Sequence, residues 1–139
     1  MPAKDIYHDV VKQALIKDGW TITDDPLRLW WAKRNIYIDL GAERIIGAER
    51  SEHRIAVEVK SFTSASEVAD LEQALGQYVL YHDILEEIEP ERVLYLAISQ
   101  ETYVALFETL QIGEILLRKK RLRLILFAAE SMEIAQWID

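Results

Sequence analysis

A chain of 139 residues, half of them apolar, suits one domain with a single core, and its lack of cysteine excludes disulfides and thiolate metal sites. Any metal is therefore held by oxygen or imidazole, which favours magnesium or manganese. A net charge of −8 argues against a general nucleic-acid coat protein; no apolar run approaches the roughly 20 residues that cross a bilayer, and the opening MPAKDIYHDVV lacks a basic-then-apolar signal, so a cytoplasmic protein without a membrane span is expected.

Asp5 to Asp18 has helical periodicity, with Ile6, Val10, Ala14 and either Leu15 or Ile16 on its apolar side, and Gly19 is placed to close it. Trp20 to Thr23 reads as a short strand. DDPLRLWWAKRN turns at Pro26 and continues irregularly or as strand. Within it, Trp30 and Trp31 with Arg28, Lys33 and Arg34 form an edge that contacts DNA or a partner, or else divide into one core and one rim tryptophan. Asn35 to Leu40 is a strand, extended or restarted over 44–48 after Gly41. ERSEH is a polar turn, and 54–60 is the next strand, with Ile55, Val57 and Val59 facing one way and Ala56, Glu58 and Lys60 the other.

The clearest helix covers SASEVADLEQALGQYVLYHDILEE, capped by Ser66, with Val68, Leu71, Leu75, Tyr78, Val79 and Leu85 as its buried stripe and Pro90 as its stop. RVLYLAIS is nearly continuously apolar, the pattern of a strand covered on both faces. QETYVALFETL reads as a helix starting near Ser99 or Gln100, LRLILFAA (122–129) as the last strong strand, and ESMEIAQWID as a helical turn or an edge segment. RKKRLR (118–123) carries five positive charges and suits a DNA-facing patch, a docking patch or a solvated turn. The order helix, three strands, helix, strand, helix, strand gives an α/β fold in one domain over 1–139, a mixed sheet flanked by helices.

That sheet places Asp39 near Glu58 and Lys60, a combination with chemical meaning. Two carboxylates with converging oxygens hold a hard divalent cation beside a scissile phosphate. A lysine two residues along the strand projects from the glutamate's face, where it orients a water and steadies charge on the phosphate. Gln77 and Tyr81, at i and i+4, share one helical face, and Tyr81 either acts there or packs on the sheet. Glu43, Glu49 and Glu52 are spare carboxylates, and Glu49 competes with Asp39 for the position of first acid.

Asp39, eighteen residues, then EVK (Glu58, Val59, Lys60), set in this order of elements, resembles the PD-(D/E)XK, restriction-endonuclease-like superfamily. The resemblance implies a metal at Asp39 and Glu58 and a catalytic Lys60. The spacing of Gln77 and Tyr81 is similar to a motif of the RecB-type branch, which implies a glutamine near the active site. Related nucleases place a glutamate about eleven residues before the glycine that closes the first helix; here that position is His8, which can ligate a metal or contact phosphate but supplies no carboxylate.

The segments KDIYHDVVKQALIKDGWTIT, IYIDLGAERIIGAER, IAVEVKSF and ALGQYVLY, in that order, resemble the XisH family, the fdxN element excision controlling factors of cyanobacterial genomes. This resemblance spans nearly the whole chain. It implies an endonuclease-like fold and, with a small XisI-type partner, control of the excision of an integrated DNA element, the strand exchange itself belonging to a separate recombinase. Two activities follow as expectations: a magnesium- or manganese-dependent DNA endonuclease, or a non-catalytic recombination regulator. DNA and an XisI-type protein are the expected partners, and a homo-oligomer is compatible with the pattern.

Overall fold

The first helix is set by where its hydrogen bonding begins. In the computed structural model, which describes residues 4–46 and 51–139, α1 (His8–Lys17) buries His8, Val11, Ala14 and Leu15. Ile6 and Ile16, two candidates for its apolar side, are exposed. The stripe is rotated because Asp5 stands ahead of the helix, where its carboxylate accepts the Tyr7 N–H, and so Ile6 precedes the first turn. Gly19 closes α1 as expected: its φ of +93° is one that side chains resist, and Trp20 N–H folds back to the Leu15 carbonyl.

After α1 come β1 (Thr21–Asp24), β2 (Leu27–Trp31), β3 (Arg34–Ile38), β4 (Leu40–Ile46) and β5 (Ser51–Val59). The single strand expected over 35–40 is in fact two. β3 pairs with β2 in a separate two-stranded sheet, while β4 lies between β1 and β5 in the main sheet. A continuous apolar run conceals this change of partner. Ile36 and Ile38 join Leu27 and Leu29 in one core cluster, whereas Leu40 and Ala42 belong to the other. Asp39 is the bend between them. Part of the expected polar turn is strand: 51–53 open β5, and 47–50 lie outside the described residues.

α2 (Glu67–Ile88) is capped by the Ser66 hydroxyl, which accepts the Ala69 N–H, and it buries Leu71, Ala74, Tyr78, Ile84 and Leu85. Val68 and Val79, read as part of that stripe, are exposed. Then follow β6 (Arg92–Ser99), α3 (Gln100–Tyr103) continuing into a π-helical turn (Val104–Thr109), α4 (Glu114–Arg118), β7 (Leu124–Ala128) and β8 (Glu133–Ile138). The tail thus takes the edge-strand alternative, antiparallel to β7.

The main sheet runs β1-β4-β5-β6-β7-β8, parallel through β5, β6 and β7 and antiparallel elsewhere. Leu94 to Ser99 is buried throughout, as expected for a strand covered on both faces. α1 covers one face through Val11 and Leu15, over Val57, Val59 and Phe127. α2 and the β2–β3 hairpin cover the other. The mixed sheet with helices on both faces is the expected α/β architecture. Among the described residues no helix is long and apolar enough to cross a membrane.

Candidate active site

Period-two alternation decides where Glu58 points. Ile55, Val57 and Val59 pack on the α1 side of β5, while Ala56 packs on the α2 side, so Glu58 emerges beneath α2. It is only 8% exposed. Leu40 pairs with Val57, which brings the Asp39 bend alongside. Two reciprocal bonds then fasten the acids: Asp39 N–H donates to Glu58 Oε1 (3.2 Å), and Val59 N–H donates to Asp39 Oδ2 (2.7 Å).

With Glu58 buried and the half-buried Asp39 beside it, a second negative charge is disfavoured in this corner. Burial, then the hydrogen bond to the Asp39 carboxyl and its charge, push Glu58 up to about 9, and the Lys60 charge pulls it down by less. The pair therefore holds a proton more readily than a lone, solvated carboxyl does.

Lys60 follows the last residue of β5, but its N–H still donates to the Ala97 carbonyl (3.1 Å), so the strand pairing continues and keeps it on the Glu58 face. Its Nζ donates to Gln73 Oε1 (2.9 Å). From α2, Gln77 and Tyr81 enter the same cleft. Burial, then the charges of Glu58 and Asp39, push the Tyr81 hydroxyl up to about 12, which keeps it a proton-bearing donor. Asp39, Glu58, Lys60, Gln77 and Tyr81 thus line one open cavity of about 200 Å³, completed by Lys4, Asp5 and Tyr37.

His8 is not among them. It is buried at 2% exposure, and its Nε2 donates to Asp25 Oδ1 (2.6 Å), while Lys12 Nζ donates to Oδ2 (2.8 Å). The acid that the first helix region brings to the cavity is Asp5, three residues earlier. Its carboxylate accepts the N–H groups of Ser61 (3.0 Å) and Tyr7 (2.9 Å), tying the chain before α1 to the loop after Lys60. Glu49 lies outside the described residues, and Asp39 is the acid beside Glu58.

Gln73 was not singled out from the sequence, although the signal exists. Gln73, Gln77 and Tyr81 recur at i, i+4 and i+8 on one helical face. The basic run lies on the other flank of α2, where Lys120, Arg121 and Arg123 border a groove with Tyr78 and His82. Neither Trp30 nor Trp31 is in the core: they are 63% and 38% exposed.

The donor set suits a hard divalent cation. Asp39 and Glu58 each accept one backbone N–H and each have a second oxygen that the backbone does not engage. The crowding that raises the Glu58 pKa is the crowding a dication would relieve.

The family model described as XisH protein matches residues 1–135. The chain belongs to the XisH family. Two solved structures are similar over almost its entire length. One is the crystal structure of an fdxN element excision controlling factor protein from Anabaena variabilis, 39% identical, with a TM-score of 0.85 over 98% of this chain and 100% of that one. The other is a XisH family protein from Nostoc punctiforme PCC 73102, also 39% identical, with a TM-score of 0.84 over 97% of this chain and 100% of that one. No curated protein matches the chain.

Proposed function

We propose that this XisH-family chain controls excision of an integrated DNA element and does so as a divalent-metal-dependent DNA endonuclease of the PD-(D/E)XK type. The observation that carries the reading is the pair Asp39–Glu58, fastened by reciprocal backbone hydrogen bonds in a cavity with Lys60, Gln77 and Tyr81. Asp39 and Glu58 would hold magnesium or manganese, which would supply positive charge against the phosphodiester being cut. Lys60 orients the attacking water and offsets the negative charge that grows on the phosphate. Gln77 binds a phosphate oxygen or that water through its amide. Tyr81, protonated at any physiological pH, donates a hydrogen bond from the cleft wall. Asp5 fixes the loop after Lys60 through Ser61.

The test is purified protein with manganese or magnesium on linear, nicked and branched DNA. Cleavage is expected, and Lys60→Ala should slow it by about 10²–10³-fold. Absence of cleavage on every DNA form, or cleavage that survives Lys60→Ala, overturns the reading.

A second reading is favoured by a different surface. Val104, Leu110, Ile112 and Ile115 are 44–60% exposed around the π-helical turn and α4, a concentration of apolar side chains that suits a protein partner. In this reading the chain is a non-catalytic regulator that works through an XisI-type protein seated there. Co-expression tests it. Ile112→Glu or Ile115→Glu should abolish co-purification, and a chain that purifies alone, or forms only a homo-oligomer through that patch, counts against it.

A further inference from the structure

The β2–β3 hairpin is an arm of unusual charge. Residues 27–38 contain Arg28, Lys33 and Arg34 and no carboxylate, in a chain of net charge −8. Among the described residues none of these three cations has an ion-pair or hydrogen-bond partner. The arm is rigid for a local reason: Leu27, Leu29 and Ile38 are buried in the core beneath it, so only its outer face and tip are free. Trp31 and Arg34 pair across a two-residue turn, Ala32 and Lys33, both with positive φ (52° and 62°), which matches the right-handed twist of the strands and presents Lys33 and Arg34 at the tip.

Alternation puts Arg28, Trp30, Asn35 and Tyr37 on the outer face. Tyr37 also lines the Asp39–Glu58 cavity, and Arg28 is its direct cross-strand partner. Trp30 comes next along the same face, exposed over 63% of its surface. An indole held open to solvent on a firm strand, flanked by unpaired cations and aligned with a cavity, has one efficient occupant. A nucleobase stacks on any aromatic face, and its phosphates meet the cations. Duplex DNA hides its base faces in the stack. We infer that the hairpin is a binding arm for a single-stranded nucleic-acid segment, with Trp30 as the stacking platform and Arg28, Lys33 and Arg34 following the backbone away from the cavity. This deepens the nuclease reading above and rests on it for the direction of the path, giving the substrate an unpaired stretch next to the site of attack.

Binding can be read without chemistry. Oligo-dT, and a duplex of the same length, are titrated into the full chain in EDTA, with tryptophan emission as the signal. Oligo-dT should quench emission and bind more tightly than duplex. Trp30→Ala should weaken oligo-dT binding by about ten-fold or more, and Trp30→Phe by much less. The triple change Arg28→Ala, Lys33→Ala, Arg34→Ala should reduce the slope of log affinity against log salt by about 2. Oligo-dT affinity unchanged by Trp30→Ala, or duplex bound at least as tightly as oligo-dT, overturns the arm. Trp30-dependent binding in a protein that never cleaves with manganese supports the arm and removes only the catalytic reading, whereas cleavage without it removes only the arm.

Discussion

Two clusters of buried charge sit in this molecule, and they are handled in opposite ways. Between α1 and the turn before β2, one carboxylate, Asp25, accepts from both His8 and Lys12. Burial raises its pKa, but hydrogen bonds from Lys12 and His8 outweigh that, and Asp25 ends below its ordinary value. At the end of β5, two carboxyls share one corner, and Lys60 donates to the neutral Gln73 and to neither of them. Glu58 is accordingly driven far above the carboxylate range. The fold can therefore neutralise a partly buried acid where only stability is served. In the proposed metal-dependent reading, the charge that Asp39 and Glu58 lack is the charge a bound cation would supply.

The largest effect expected from breaking this contrast is at Asp25. Asp25→Ala leaves the buried His8 ring with neither nitrogen partnered and should cost about 2–3 kcal/mol, measured by urea unfolding at neutral pH. Because the folded pKa of Asp25 is depressed, its contribution is present above the unfolded value and is lost as pH falls. The gap between wild type and variant should narrow towards pH 3; a gap that persists there means the packing, and not the charge, matters.

Glu58→Gln should act in the reverse sense and more weakly. The folded pKa of Glu58, about 9, lies above its ordinary value of 4.5. Its stabilising contribution is therefore full below 4.5 and disappears as pH rises towards 9. Glutamine, which does not titrate, should melt close to wild type at pH 5 and above it by pH 9, a gain on the order of 1 kcal/mol. Millimolar magnesium should raise the melting temperature of wild type more than that of Glu58→Gln. A Glu58→Gln advantage that is flat between pH 5 and pH 9 breaks the comparison.

The difference between the two clusters was only partly legible in the sequence. Period two placed Glu58 and Lys60 on one face, because alternation is a local property of a strand, and the i, i+4 rule did the same for Gln77 and Tyr81. Asp39 was identified for the right neighbourhood and in the wrong setting. It is a bend where the chain leaves a hairpin for the main sheet, and no local pattern in an apolar run reports a change of pairing partner. Counting back eleven residues from Gly19 points to His8, but α1 starts at His8 itself and turns that side chain towards Asp25. The acid that reaches the cavity, Asp5, precedes the helix and is held by contacts 56 residues away in sequence, at Ser61. Both tryptophans of LRLWW proved exposed because the hairpin buries Leu27 and Leu29 instead, a choice made by the pairing register of β2 with β3.

The smallest effect on stability falls on the residue that links the under-neutralised pair to α2. Gln73 is exposed, and its Oε1 accepts from Lys60 Nζ at 2.9 Å. Truncating an exposed side chain with one hydrogen bond should leave stability within about 0.5 kcal/mol. The lysine, however, has four freely rotating bonds, and Gln73 is what holds its ammonium along the cleft wall. If the chain cleaves DNA as proposed, Gln73→Ala should lower the metal-dependent rate by about ten-fold through kcat, with KM nearly unchanged, because a displaced cation still attracts DNA but no longer meets the reacting phosphate squarely. Gln73→Glu keeps an acceptor at the same reach and should recover most of that loss. Full activity in Gln73→Ala would mean that Lys60 finds its position from the strand alone, and equal losses in both variants would mean that the charge balance of the cleft, more than the placing of the lysine, controls the rate.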